Sequence, residues 1–182
     1  MPVTSFVIIS FLVVAVSTVA LLMRNPLATK VTTSKIAEKL KGADWVQNHW
    51  KAGLFLFGIN AGLFFFTGFL LYLLMYFLVP LFHITIMVVA VVVSLLFWSV
   101  AGASWKGTKG NRIKASAVGS SFYALLALGF VYMLMTLQPA YPGEDTFMRA
   151  IGVMFGIIVA VTAFVSCFLI TGFAAGRKTN SL

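Results

Sequence analysis

A chain of 182 residues that is 61% hydrophobic and only 9% charged is not an ordinary soluble domain, in which about 25% of residues are charged and about 45–50% are apolar. Nor is it a disordered chain, because disorder goes with low hydrophobicity and high net charge. Thirteen Lys and Arg against four Asp and Glu give a net charge of +9, yet no basic–aromatic motif of a nucleic-acid reader accompanies it, and nucleic acid is not an expected partner.

A helix that crosses a bilayer needs about 20 mostly apolar residues. Five stretches qualify, at about 3–23, 52–79, 84–104, 115–137 and 148–175. Hydrocarbon offers no partner to an open backbone, so these stretches predict helices. The expected fold is an all-α integral membrane protein, a single domain built as a bundle of five transmembrane helices.

The first stretch has the length of a secretory signal. Its leading residues Met1 to Ser5 carry no basic side chain, however, and Arg24 and Lys30 follow it. A cleaved signal has the reverse order, so a retained span with an outside N-terminus is expected. Residues 24–51 form the one sizeable polar segment. Within it Ser34 is placed to cap a short helix, Lys35 to Lys41, that Gly42 would stop. Ile36 and Leu40 share one face of that helix, with Lys35, Lys39 and Lys41 pointing elsewhere, the pattern of an amphipathic helix lying on a lipid surface. It reads either as a docking surface or as a connecting loop resting on lipid.

The second stretch spans about 42 Å as a helix, longer than the hydrocarbon core, so it tilts or enters the interface. Pro80 ends it and opens a tight turn before the third span. The segment 105–114 returns to a basic composition, with Lys106, Lys109, Arg112 and Lys114. It does not satisfy the phosphate-loop pattern, because no Lys directly follows the second Gly of the required spacing. Pro139, Pro142 and Gly143 mark an irregular connection before the fifth span. Arg149 begins that span beside Glu144 and Asp145. It reads as a local ion pair or as an outer-surface contact to an anion or headgroup.

Basic residues fix the orientation. Arg24, Lys30, Lys35, Lys39, Lys41 and Lys51 precede the second span. Lys106, Lys109, Arg112 and Lys114 follow the third, and Arg177 and Lys178 follow the fifth. Five spans put all three groups on one side, and the positive-inside rule makes that side cytoplasmic, with the N-terminus outside and the C-terminus in. Trp45, Trp50, Trp98 and Trp105 are expected near the inner interface, where an apolar ring with a polar tip is at home. In this generic sense alone the chain resembles small multi-pass proteins of the bacterial cytoplasmic membrane, and a cell-membrane location is expected.

Candidate functional residues are few. Gly58 and Gly62 in the second span, and Gly152, Gly156 and Ala160 in the fifth, are small residues at four-residue spacing, which lets helix backbones approach closely. Asn60 is the most polar side chain well inside a span. It either joins helices or lines a solute path. Cys167 stands alone in an apolar run, so no internal disulfide forms and the thiol acts as a small hydrophobe. His49 and His83 are the residues a haem or metal would use, but a whole bilayer separates them, so one protomer cannot offer both to one group. No metal site, catalytic set or cofactor is expected. The spans lack mid-bilayer ionisable groups of the kind ion-coupled transporters use. Three functions stay open on these grounds: a non-catalytic accessory or structural subunit of a larger membrane complex, a homo-oligomeric channel or transporter for a neutral or lipidic solute, and a redox subunit sharing a haem at an interface. The partners implied are the lipid bilayer and other membrane subunits or copies of the chain itself.

Overall fold

A computed structural model of the protein describes residues 38–40, 42–78, 82–139, 141, 143 and 145–173. The first expected span, most of the helix expected at Lys35 to Lys41, the Pro80 turn, Glu144 and the basic tail lie outside the described residues. Residues 38–40 are helical, and the Gly42 N–H donates to the Glu38 carbonyl at 3.2 Å, closing that turn where Gly42 was expected to stop it.

Every regular element among the described residues is helical. A 3-10 turn, Asp44–Gln47, precedes four long helices: α1 (His49–Tyr76), α2 (Phe82–Ala103), α3 (Lys109–Met135) and α4 (Phe147–Phe173). All four are long and apolar enough to cross a membrane, which makes this a multi-pass membrane protein. They correspond to the second through fifth expected spans.

Local chemistry sets the helix starts. Asn48 precedes α1, and its side chain accepts from the Trp50 N–H at 3.0 Å, satisfying one of the free donors of the first turn. Thr108 does the same for α3 through the Asn111 N–H. That cap starts α3 at Lys109, six residues before the apolar run at Ala115. A hydropathy reading excludes this basic first turn, although Arg112 belongs to it. Beyond α1, Leu78 adopts a left-handed backbone (φ 54), a conformation uncommon outside glycine.

The helices run alternately up and down, so the start of α1, the end of α2, the start of α3 and the end of α4 share one end. Lys51, Lys106, Lys109, Arg112 and Lys114 gather there, and we call it the basic end. α3 packs against α1 and α4, and α2 completes the ring by packing against the same two helices. Consecutive helices α2 and α3 therefore lie across the bundle from each other.

Among the described residues the core occupies only one half of the bundle. Leu56, Leu95, Trp98, Phe122, Tyr123, Cys167 and Ile170 form one buried cluster, and all of it lies toward the basic end. In the opposite half, residues 61–76, 82–94, 124–135 and 147–159 include no buried position. Phe65, Phe66, Phe69, Val88, Val91, Leu128 and Met133 are among its exposed side chains.

Candidate functional site

Asn60 is the only place where all four helices meet through polar atoms among the described residues. It is fully buried. Its Nδ2 donates to the Gly119 carbonyl of α3 at 3.0 Å and to the Cys167 Sγ of α4 at 3.6 Å. Its Oδ1 accepts from the Trp98 Nε1 of α2 at 2.8 Å. Both amide hydrogens and one oxygen lone pair are thus used, as a polar group in an apolar interior requires. Asn60 joins helices in this bundle.

Two glycines make the junction possible. A Cβ on Gly119 would lie 2.4 Å from Leu56 Cδ2, and one on Gly53 would lie 2.7 Å from Val118 Cβ. α1 and α3 therefore interlock by placing a bulky residue of each over a glycine of the other. Gly58 and Gly62, expected on a packing face, are not part of this junction: both are exposed, and a Cβ on either would meet nothing within 4 Å. Helix geometry explains this. Gly58 and Gly62 are rotated about 140° and 180° from Gly53, which shares its face with Leu56 and Asn60.

The corresponding residues of α4 divide. Ala160 is buried, and Gly156 lies beneath the Phe130 ring, where a Cβ would come within 3.2 Å. Gly152 faces open space. Trp98, expected at the interface with the other tryptophans, is 4% exposed; its indole N–H is taken by Asn60 and its ring meets Tyr123 edge-on at 5.9 Å.

A second polar group forms at the basic end. Arg112, in the first turn of α3, donates through Nε to the Thr171 carbonyl at 2.8 Å. That carbonyl belongs to the last turn of α4, where a cation is favoured by the unpaired carbonyls. One turn further along α3, Ser116 Oγ reaches the Phe168 carbonyl at 2.9 Å and Thr171 Oγ1 at 2.7 Å. Thr171 Oγ1 in turn donates to the Cys167 carbonyl at 2.6 Å. Gly172 admits Ser116, whose Oγ would lie 3.2 Å from an added Cβ. These bonds hold the guanidinium in place and leave its Nη2 buried, with no hydrogen-bond partner among the described residues.

Beside Arg112 is a cavity of about 50 Å³. Ser116 and Thr171 form its polar wall with Arg112. Trp45, Phe55, Phe97 and Trp105 supply aromatic walls, and Ala101, Ala115 and Leu56 are also in the lining. Gln47 fixes the loop that closes this region: its side chain donates to the Ser104 carbonyl at 3.4 Å and accepts from the Lys106 N–H at 2.9 Å. Trp105 lies over Gly107, where a Cβ would approach its ring nitrogen to 3.1 Å, and donates to the Thr108 carbonyl at 3.2 Å. Sequence reading missed Arg112, Ser116, Thr171 and Gln47, which come together only through the fold.

The remaining candidates stay apart. His49 begins α1 and His83 lies in the first turn of α2, at opposite ends of the bundle. Among the described residues no three His, Cys, Asp or Glu gather as metal ligands do. Arg149 donates to the Gln138 carbonyl at 2.6 Å, tying the start of α4 to the preceding loop. Asp145 is occupied locally, accepting from the Phe147 N–H at 2.8 Å. Comparison with protein families, with curated proteins and with solved structures finds no match.

Proposed function

We propose that this chain is a non-catalytic accessory subunit of a larger membrane complex, seated in a cell membrane with its basic end toward the cytoplasm, its N-terminus outside and its C-terminus in. The observation that supports this reading most is the division of the bundle into a packed half and an uncovered half. Polar groups of the packed half join helices: Asn60 engages three neighbours, and Ser116, Thr171 and Arg112 tie α3 to α4. Among the described residues of that half no nucleophile is bonded to a base, which hydrolytic chemistry would need. In the uncovered half, the small residue Gly152 and the valines of α2 face outward. Gly58 and Gly62 extend this outward surface at mid-helix, and small residues of this kind admit a neighbouring helix closely.

The test is gentle extraction from the native membrane followed by intact-complex mass measurement. The expected result is a defined complex holding this chain and a different polypeptide. A monodisperse, partner-free monomer would overturn the reading. A homo-oligomer that carries a neutral solute into vesicles would replace it with the channel alternative. Asn60 is engaged by three neighbours within one protomer, so in that alternative the path is taken to run between copies.

A further inference from the structure

We propose that the cavity at the basic end binds the phosphate group of an anionic membrane lipid, with Arg112 as the residue that recognises it. This inference is independent of the subunit reading and rests on four observations.

The first is an unused donor. Arg112 carries five N–H donors in a rigid fork that matches phosphate oxygens. Nε is committed to the Thr171 carbonyl, so the fork cannot swing away. Nη2 is buried with no hydrogen-bond partner among the described residues, and an unsatisfied buried charged donor is costly enough to call for an explanation. The second is that the neighbouring hydroxyls are already engaged. Ser104 Oγ donates to the Val100 carbonyl, Thr171 Oγ1 donates to the Cys167 carbonyl, and Ser116 Oγ bonds the Phe168 carbonyl and Thr171. Among the described residues Arg112 is thus the one charged residue in the cavity lining, beside hydroxyls already engaged, a setting that favours a negatively charged oxygen.

The third observation is size. A volume of about 50 Å³ holds about four waters, enough for one phosphate group and too little for a nucleotide. The fourth is the surroundings. Trp45 and Phe55 meet edge-on at 4.9 Å on one wall and are 38% and 44% exposed. They give an apolar rim of the kind an acyl chain or glycerol backbone would follow. Lys51, Lys106, Lys109 and Lys114 are exposed at the same end and draw anionic lipid to it. A free phosphate would gain nothing from the aromatic walls, which is the reason for assigning the group to a lipid.

The experiment is native mass spectrometry of the full chain in mild detergent, titrated separately with phosphatidylglycerol, phosphatidylcholine and inorganic phosphate. Four proteins are compared: the wild type, Arg112→Gln, Ala101→Leu and Lys114→Gln. Ala101→Leu fills the cavity and keeps the guanidinium, so it carries the test if Arg112→Gln does not fold. Lys114→Gln removes an exposed charge of the same end. The wild type and Lys114→Gln are expected to retain one phosphatidylglycerol. Arg112→Gln and Ala101→Leu should retain it about tenfold or more weakly, the loss expected for one charge-assisted hydrogen bond. Phosphatidylcholine should be retained less than phosphatidylglycerol, and millimolar inorganic phosphate should not displace the lipid. Equal retention by the wild type, Arg112→Gln and Ala101→Leu would overturn the proposal. So would a loss in Lys114→Gln equal to that in Arg112→Gln, which would mark a diffuse surface charge. Displacement by inorganic phosphate would overturn the lipid assignment and make this a site for free anions.

Discussion

Replacing Asn60 with alanine tests the junction that holds the four helices together. The substitution withdraws the donor to Gly119 and Cys167 and the acceptor for Trp98 in one step. Polar contacts between membrane helices contribute about 0.6 kcal/mol each on average, and up to about 1.7 kcal/mol. The Trp98 N–H, left in an apolar interior without a partner, adds a penalty of about 1–3 kcal/mol. The truncated side chain also leaves a void at a fully buried position, which the surroundings fill only in part. Asn60→Ala should therefore lower the unfolding free energy by about 2–4 kcal/mol. Trp98→Phe removes the indole donor and keeps an aromatic ring. Combining the two should give a coupling energy of about 1 kcal/mol in a double-mutant cycle. The assay is unfolding in mixed micelles by a denaturing detergent, followed by far-ultraviolet circular dichroism so that loss of a tryptophan does not alter the signal. A single-variant loss below about 0.5 kcal/mol, or a coupling near zero, would refute the role given to Asn60.

The other expectations follow from the same packing. Gly119→Ala drives a methyl group into Leu56 and should cost about 1–3 kcal/mol by overpacking, whereas Gly58→Ala meets open space and should leave stability unchanged or raise it by up to about 1 kcal/mol; unfolding midpoints of the two variants decide it. Cys167 is 0% exposed, so a maleimide should label it only as fast as the bundle opens, and Asn60→Ala should raise that rate in a mass-resolved time course. Gln47→Ala should speed hydrogen exchange at the Lys106 amide, which loses its acceptor, and cost about 1 kcal/mol of stability; unchanged exchange would show that Gln47 does not hold the loop.

How much of this was legible in the sequence depends on the residue. Long apolar runs located α1, α2, α3 and α4 because hydrocarbon permits few alternatives to a helix. Asn60 stood out for its chemistry, and joining helices was one of its two readings. Its partners were not legible, since Trp98, Gly119 and Cys167 lie 38, 59 and 107 positions away. Gly58 and Gly62 show the limit of spacing alone. Four-residue spacing says that two residues share a face but not which face is covered. Asn60 carried the missing clue, because residues two positions away on a helix point about 200° from it. If Asn60 is buried, Gly58 and Gly62 must face outward, and Gly53, seven positions before it, must face in. Arg112 was hidden for a different reason. A hydropathy window discards a basic turn, and only the Thr108 cap reveals that the helix begins before it. Trp98 was ambiguous by nature, since the same indole serves an interface or a buried hydrogen bond.

The most direct test of the subunit reading compares the complex formed by the wild type with that formed by Gly58→Leu/Gly62→Leu in the native membrane, with the unfolding midpoint of each purified chain measured alongside. The two leucines fill the outward stripe without touching the Asn60 junction. The account predicts that the double variant loses its partner polypeptide in intact-mass spectra while its midpoint stays that of the wild type. A complex retained at full occupancy, or a midpoint that falls because the stripe is covered by another segment of the same chain, would contradict it.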